Sequence, residues 1–264
     1  ESPAAFHMAT VNVSQAAKSR FVSTSFAFGA RLARVDIAVG LDAEGAACTL
    51  DGLYLTDGRQ HVDHHTRIDH RQGRCTSRQR YKGVLAGASR AVFNGRVVVH
   101  PDAQGSDAFQ ANHNLLLSEN AEIDTKPQLE IWADDVKCSH GATVGQLDED
   151  QVFYLRSRGI AEADARAMLT RAFAMEIIER VGLQSVQDRL VEVLPGDVTS
   201  FLHPLPVGKI WGVGEATADK LHRLGIMTVA DLANTPAGTL RRAFGPHQGS
   251  LLSELAWGRD GRRV

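Results

Sequence analysis

The sequence predicts a mainly β body followed by a short helical tail and a small all-α domain, and three observations carry that reading. Residues 10–150 are built of short β-rich runs separated by Gly, Asn and Asp, with turn signals about every 8 to 12 residues and no long helical period between them. From Ile160 the apolar spacing changes to that of a helix. From about Pro195 the chain reads as several short helices joined by glycine turns.

The β runs include RFVSTSFAFG, RVDIAVGLD, CTLDGLYL, RQHVDHHTRID, RAVFNGRVVVH and QLEIWADDVKCSH. On residue physics alone they could form a sandwich, a barrel or a solenoid, and the absence of a strict short repeat means that a solenoid would be irregular. In the segment AEADARAMLTRAFAMEIIERV, Ala165, Met168, Leu169, Ala172 and Met175 fall in one helical row, with Phe173, Ile177 and Val181 in the next. That row predicts a broad buried face. Gly182 interrupts it, Val186, Leu190 and Val193 mark a shorter helix, and Pro195-Gly196 stops that one. Further on, Thr228 to Asp231 reads as a capping box, and Gly225 sits where a helix C-terminus belongs. Thr235-Pro236 repeats the start signal, and Gly245 closes the helix after Phe244. No Gly/Ser- or Pro-rich linker separates the two regions, so the join is expected within residues 183–202.

At 264 residues, with 43% hydrophobic and 23% charged residues, the chain can hold one large and one small soluble domain. No apolar run reaches the length of a membrane span, and no signal peptide is evident, so no membrane partner is expected. Cys48, Cys75 and Cys138 are odd in number and widely spaced, which argues against a disulfide framework and for a reducing, cytoplasmic setting. The chain starts at Glu1 and ends in GRDGRRV, so both ends are expected to fall inside longer sequences. The net charge of −2 is uneven: from Pro195 onward eight Lys and Arg stand against six Asp and Glu. That slight positive bias is compatible with phosphate binding.

Three groups of residues carry candidate chemistry. Cys138 and His140 are two apart on an expected strand, so both leave the same face. A thiolate beside an imidazole suits iron or zinc, with ligands added from elsewhere; the same spacing also fits a half-buried Cys next to a hydrogen-bonded His. His61, Asp63 and His65 likewise share a face, with His64 and His70 nearby. They could hold a metal for a hydrolase, or simply satisfy one another. Asp134 and Asp135 are adjacent, so on a strand they diverge and cannot share a metal. In WGVGEATADKLHRLG, which resembles a helix–hairpin–helix, Gly212 and Gly214 flank Val213 in a turn that opens a helix. Backbone amides there could approach a phosphate, with Lys209, Lys220 and Arg223 as flanking cations. Such contacts read no base sequence. The alternative is a glycine turn with no ligand.

The stretch KPQLEIWADDVKCSHGATVGQLDEDQVFYLRSRG, at residues 126–159, resembles the SufD branch of the SufB/SufD scaffold family of iron–sulfur assembly. The resemblance covers about residues 1–194 and lacks the family's N-terminal portion. It implies that the β runs stack as an irregular parallel β-helix. It also implies that KCSHGAT lies at the contact with a SufB-like partner, where His140, with Cys138, takes part in forming a nascent cluster. The segment QANHNLLLSENA carries Asn112, His113 and Asn114 and no thiol, which is D-like rather than B-like. The helical tail from FYLRSRG resembles the part that binds the ATPase SufC. The resemblance therefore implies a non-catalytic scaffold working with SufB-like and SufC-like subunits. The iron–sulfur cluster would be its transient cargo, and no cofactor would be held stably by this chain alone. In the family the HVDHHT segment belongs to the β-helix body, which favours mutual satisfaction of His61, Asp63 and His65.

The second stretch, HPLPVGKIWGVGEATADKLHRLGIMTVADLANT at residues 203–235, resembles the thumb of DinB-type Y-family DNA polymerases. It implies weak, sequence-independent binding of duplex DNA. The family's acidic palm motifs and its little finger are not found in the sequence, so no nucleotide incorporation is expected. The expected domains are a β-helix core over residues 1–159, SufD-like helices over 160–194, and a thumb-like helix–hairpin–helix over 195–264. The alternative reading is a catalytically incomplete DNA-binding fragment of a translesion polymerase.

Overall fold

Ten strands of nine or ten residues, each with side chains alternating between two faces, wind into a parallel solenoid. The structure is a computed structural model that describes residues 2, 4–194, 205–210 and 213–257, without the side chain of Lys209. The chain divides into two compact units: Glu1–Val152 with Leu169–Val193, and Phe153–Met168 with Leu194–Val264.

In the first unit, β1 (Phe6–Gln15), β3 (Leu32–Leu41), β5 (His61–His70), β7 (Arg90–Val99) and β9 (Glu122–Ile131) form one parallel sheet in that order. The second sheet runs β10 (Lys137–Gly145), β8 (Asp107–Leu116), β6 (Thr76–Leu85), β4 (Ala47–Thr56) and β2 (Arg20–Phe28). Each coil gives one strand to each sheet, so every parallel crossover is made by a strand of the opposite sheet. Coil length varies, from the pair Phe6↔Leu32 to the pair Arg90↔Glu122, so this is the irregular parallel β-helix that the resemblance implies.

The sheets bury their facing rows in one core that includes Leu41, Leu50, Tyr54, Ile68, Tyr81, Phe93 and Val97. Polar side chains share that interior: Gln79, Gln110, Asn112, Asn114, His64 and His70 are all buried. Tyr54 Oη donates to Asn114 Oδ1 (2.5 Å), and Asn114 Nδ2 donates to Asn112 Oδ1 (2.7 Å). His70 Nε2 bonds Ser77 Oγ (2.8 Å). His64 lies stacked on Tyr54 (5.4 Å) and edge-on to Tyr81 (5.3 Å).

Two expected features are corrected. The run QLEIWADDVKCSH is two strands, with a turn between Ile131 and Lys137; Asp134 and Asp135 sit in that turn rather than on a strand. The turn is what carries the chain from one sheet to the other. Helix formation also starts ahead of Ile160, with α1 at Glu149–Ser157.

On α2 (Glu162–Ile178), Ala165 and Ile177 are buried as read in the sequence, Thr170, Ala174 and Ile178 are buried as well, and Ala172 is exposed. Lys82 on β6 holds the second half of this helix. Its ammonium pairs with Glu176, donates to the Phe173 carbonyl (3.1 Å) and sits over the Phe173 ring (4.3 Å). This pins the second half of α2 to the outer face of the β6 sheet. A short α3 (Gln184–Val191) follows, with Leu190 buried.

The second unit packs a 3₁₀ turn (Val207–Lys209) with α4 (Glu215–Arg223), α5 (Val229–Asn234), α6 (Ala237–Phe244) and α7 (Pro246–Ala256). Their core includes Val207, Leu221, Val229, Leu232, Leu240 and Leu252. The capping box read in the sequence is present: the Thr228 hydroxyl accepts from the Asp231 amide, and the Asp231 carboxylate accepts from the Thr228 amide. Gly225 takes a left-handed φ of 78° after α4, the conformation that a helix-ending glycine supplies without a steric cost. Among the described residues, no helix is long and apolar enough to cross a membrane.

Burial between two tyrosines pushes the His64 pKa down to about 4 from its ordinary 6.5, and burial moves His70 similarly, to about 4. Between those values the unfolded chain holds a proton that the folded chain does not, so stability falls as the pH drops through that window. From pH 7 to pH 5 each histidine costs on the order of 2 kcal/mol. Urea unfolding of the β unit at the two pH values should therefore show a marked acid loss. His64→Phe should remove part of that loss, and an unchanged slope would contradict the burial of a neutral imidazole.

Candidate functional site

β10 is the last strand of its sheet, paired with β8 on one side only. The register sets Cys138 beside Ala108 and His140 beside Gln110, and both β8 residues are buried inward-facing ones. Cys138 and His140 thus share the inward face, as read from their spacing, but their surroundings differ. Cys138 is half-buried and packs against the core, and burial raises its thiol pKa. His140 is exposed at the open end of the solenoid. On the opposite face of the same pair, His113 Nδ1 bonds Thr143 Oγ1 (2.8 Å). Among the described residues, no three His, Cys, Asp or Glu side chains converge as a metal would require. Cys138 and His140 could therefore give at most two ligands, and a cluster held there would need the others from a second chain.

His61, Asp63 and His65 lie on the outward face of β5, while His64 points inward. Asp63 accepts from Arg34 Nη1 (2.8 Å) and pairs with His65 Nε2 (2.9 Å). The Arg34 guanidinium also bonds Asp36 (2.9 Å), and these hydrogen bonds hold the Asp36 carboxyl below its ordinary pKa. Asp63 is thus engaged by a cation and an imidazole, which leaves it a poor metal ligand. His61 takes no part in that cluster.

At the helical hairpin, Gly212 and the Lys209 side chain lie outside the described residues. Gly214 caps α4 in an extended conformation, and a Cβ built there meets nothing within 4 Å. The chain's own packing therefore does not require a glycine at this position. Val213 is buried, and its amide donates to the Ile210 carbonyl (3.0 Å), so that amide is already engaged within the turn. The Thr217 and Ala218 amides donate to the Gly214 carbonyl (3.0 and 2.9 Å), which leaves the Glu215 and Ala216 amides as the ones without an acceptor inside the helix. Lys220 is directed elsewhere: its ammonium bonds the Ala243 carbonyl (2.5 Å) near the end of α6 and lies over the Phe244 ring (4.9 Å). Arg223 Nε donates to the Asp219 carbonyl (3.3 Å) and remains exposed.

The residues behind His140 are the part that the motif reading missed. Gln110 and Gln79 form an inward polar row leading to it. The signal for Gln79 in the sequence, the polar run TSRQRYKG, looks like a surface segment until the register places Gln79 inside.

Comparison with known proteins agrees with this architecture. The model of the SUF-system FeS cluster assembly SufBD core domain matches residues 1–173, and the chain belongs to the SufBD family. The iron–sulfur cluster assembly protein SufD of Escherichia coli is 42% identical over 200 residues, covering 74% of this chain and 47% of that protein. A SufBD family protein of Synechocystis is also 42% identical, over 190 residues, covering 72% of this chain and 42% of the relative. The chain therefore spans about half the length of the curated relatives it matches. Residues 195–226 match the IMS family HHH motif. DNA polymerase IV 2 of Mesorhizobium japonicum is 38% identical over 135 residues, covering 51% of this chain and 32% of that polymerase. That stretch is longer than the segment following Pro195, so the likeness to the polymerase extends upstream of it.

Proposed function

We propose that the chain acts as a SufD-like scaffold for iron–sulfur cluster assembly, non-catalytic by itself and working with SufB-like and SufC-like subunits in the cytoplasm. The observation that carries this reading is the last strand of the sheet, which sets His140 and Cys138 on one face, with no third His, Cys, Asp or Glu converging on them among the described residues. The cluster is the cargo, and a partner subunit supplies the remaining ligands. His140, the exposed member, is the primary contact, and Cys138 is secondary because its thiol is half-buried with a raised pKa. In reconstitution with SufB, SufC, iron and a sulfide source, His140→Ala should lower cluster yield several-fold. Its circular dichroism spectrum should match the parent's. An unchanged yield would make His140 a structural residue.

A second reading concerns the C-terminal segment, residues 195–264, and is supported by the helical hairpin and the match to the IMS family motif. In this reading the segment binds duplex DNA weakly through backbone amides at the start of α4, without sequence preference and without nucleotide incorporation. With few phosphates contacted, dissociation constants of roughly micromolar or weaker and a shallow salt dependence follow. Gly214→Val places its side chain in open space, so folding should be unaffected while close phosphate approach is blocked. Fluorescence anisotropy with labelled duplexes should show weaker binding for this variant. Equal affinity, or no salt dependence in the parent, would make the glycine turn a structural corner only.

A further inference from the structure

The interior of the solenoid contains a row of side-chain amides that ends at His140. Register aligns Leu50, Gln79, Gln110 and His140 across β4, β6, β8 and β10. Gln79 Nε2 donates to Thr66 Oγ1 (2.5 Å), and Gln110 Nε2 donates to Gln79 Oε1 (2.7 Å). Both amides are fully buried. Because each donates in the direction of Thr66, their orientations are set, and the row terminates in the carbonyl oxygen of Gln110. That oxygen, Oε1, is buried and has no hydrogen-bond partner. Leaving such an acceptor unpaired costs about 1–3 kcal/mol, and buried acceptors are paired in the great majority of proteins. Gly95 on β7 provides the space: a Cβ there would overlap Gln110 Nε2.

His140 is the next residue in the row, and its imidazole makes no hydrogen bond among the described residues. Adjacent strands lie about 4.8 Å apart, a gap that a glutamine carbonyl and a neighbouring imidazole N–H span in one hydrogen bond. A buried acceptor without a donor therefore sits one strand away, in register, from a residue whose neutral ring carries one donor and one lone pair.

We propose that Gln110 is a positioning residue for His140, its Oε1 accepting the proton of one ring nitrogen. That bond fixes the neutral tautomer and directs the other nitrogen's lone pair away from the solenoid. An imidazole that ligates a metal is typically held in this manner by an acceptor on its far nitrogen. Gln79 and Thr66 act one step further back, since their bonds prevent the Gln110 amide from flipping its NH₂ group toward the ring. The part played by the lone pair rests on the cluster-assembly reading above; the hydrogen bond itself does not.

The test is ¹⁵N NMR of the full chain with labelled histidine, His140 being assigned by its loss in His140→Ala. Above the titration range the parent should show one strongly preferred tautomer for His140. Gln110→Met, close in length but lacking the acceptor, should give a tautomer mixture, and Gln110→Glu, which keeps an acceptor, should retain the preference. A mixture in the parent would overturn the proposal without recourse to any variant, as would identical His140 shifts in all three proteins. Cluster reconstitution of Gln110→Met with the partner subunits separates the two ideas. A loss of about tenfold, the lower end for removal of an outer hydrogen-bond partner, supports both. A lost tautomer preference with full yield would sink the part that the fixed tautomer plays in assembly and leave the positioning of His140 by Gln110 intact, while the His140→Ala reconstitution decides the role of His140 itself.

Discussion

Tyr54 and Tyr81 fit inside the solenoid because the residues paired with them, Gly83 and Gly52, have no side chain. A Cβ on Gly83 would overlap the Tyr54 ring, and one on Gly52 would overlap Tyr81. The two rings close on His64, one face-on and one edge-on, and Tyr81 also packs on Phe93 (5.0 Å). The register of β4 against β6, at the centre of the second sheet, depends on this constraint. A shift of one residue in β4 or β6 would put a tyrosine against a side chain and turn the whole inward row outward. With the register held, Gln79 and Gln110 fall in line, and the row they form arrives at His140 on the last strand.

The parts of this architecture that could be read from the sequence are those encoded locally. Strand runs such as RVDIAVGLD and RAVFNGRVVVH are legible because Val, Ile, Phe and Ala recur at every second position on their inward faces, while Arg, Asp and Asn fall on the outward ones. Helix signals in the C-terminal unit were equally local: a capping Thr–Asp pair and a left-handed glycine involve residues only a few positions apart. Strand β6 was obscured because glutamine, tyrosine and glycine occupy inward positions that are normally apolar. These residues are explained by partners on other strands, from Thr66 to Gln110, which no local pattern reveals. The same holds for α2, whose second half is held by the Lys82 ammonium on another element.

The candidate sites divide along the same line. The shared face of Cys138 and His140 follows from a spacing of two, but their unequal exposure follows from β10 being an edge strand. The outward His and Asp residues of β5 have a spacing that a metal could use, although mutual satisfaction is the favoured reading; Asp63 pairs with His65, and Arg34 from the neighbouring coil also takes up the carboxylate. In the hairpin, Lys220 looked like a phosphate cation on the helix, yet its ammonium serves the carbonyl end of α6. In each case a long-range partner decided what a local motif could do.

The glycine seats are tested most directly by a double-mutant cycle of Gly83→Ala and Tyr54→Leu, read as the opening free energy of β6 amides in native-state hydrogen exchange. Gly83→Ala alone should cost roughly 1–3 kcal/mol through overpacking. In the Tyr54→Leu background, where the ring is gone, the same change should cost at least about 1 kcal/mol less, a coupling typical of residues in direct contact. Additivity of the two substitutions to within about 0.5 kcal/mol would contradict the packing of Tyr54 over Gly83, and with it the register that brings the amide row to His140.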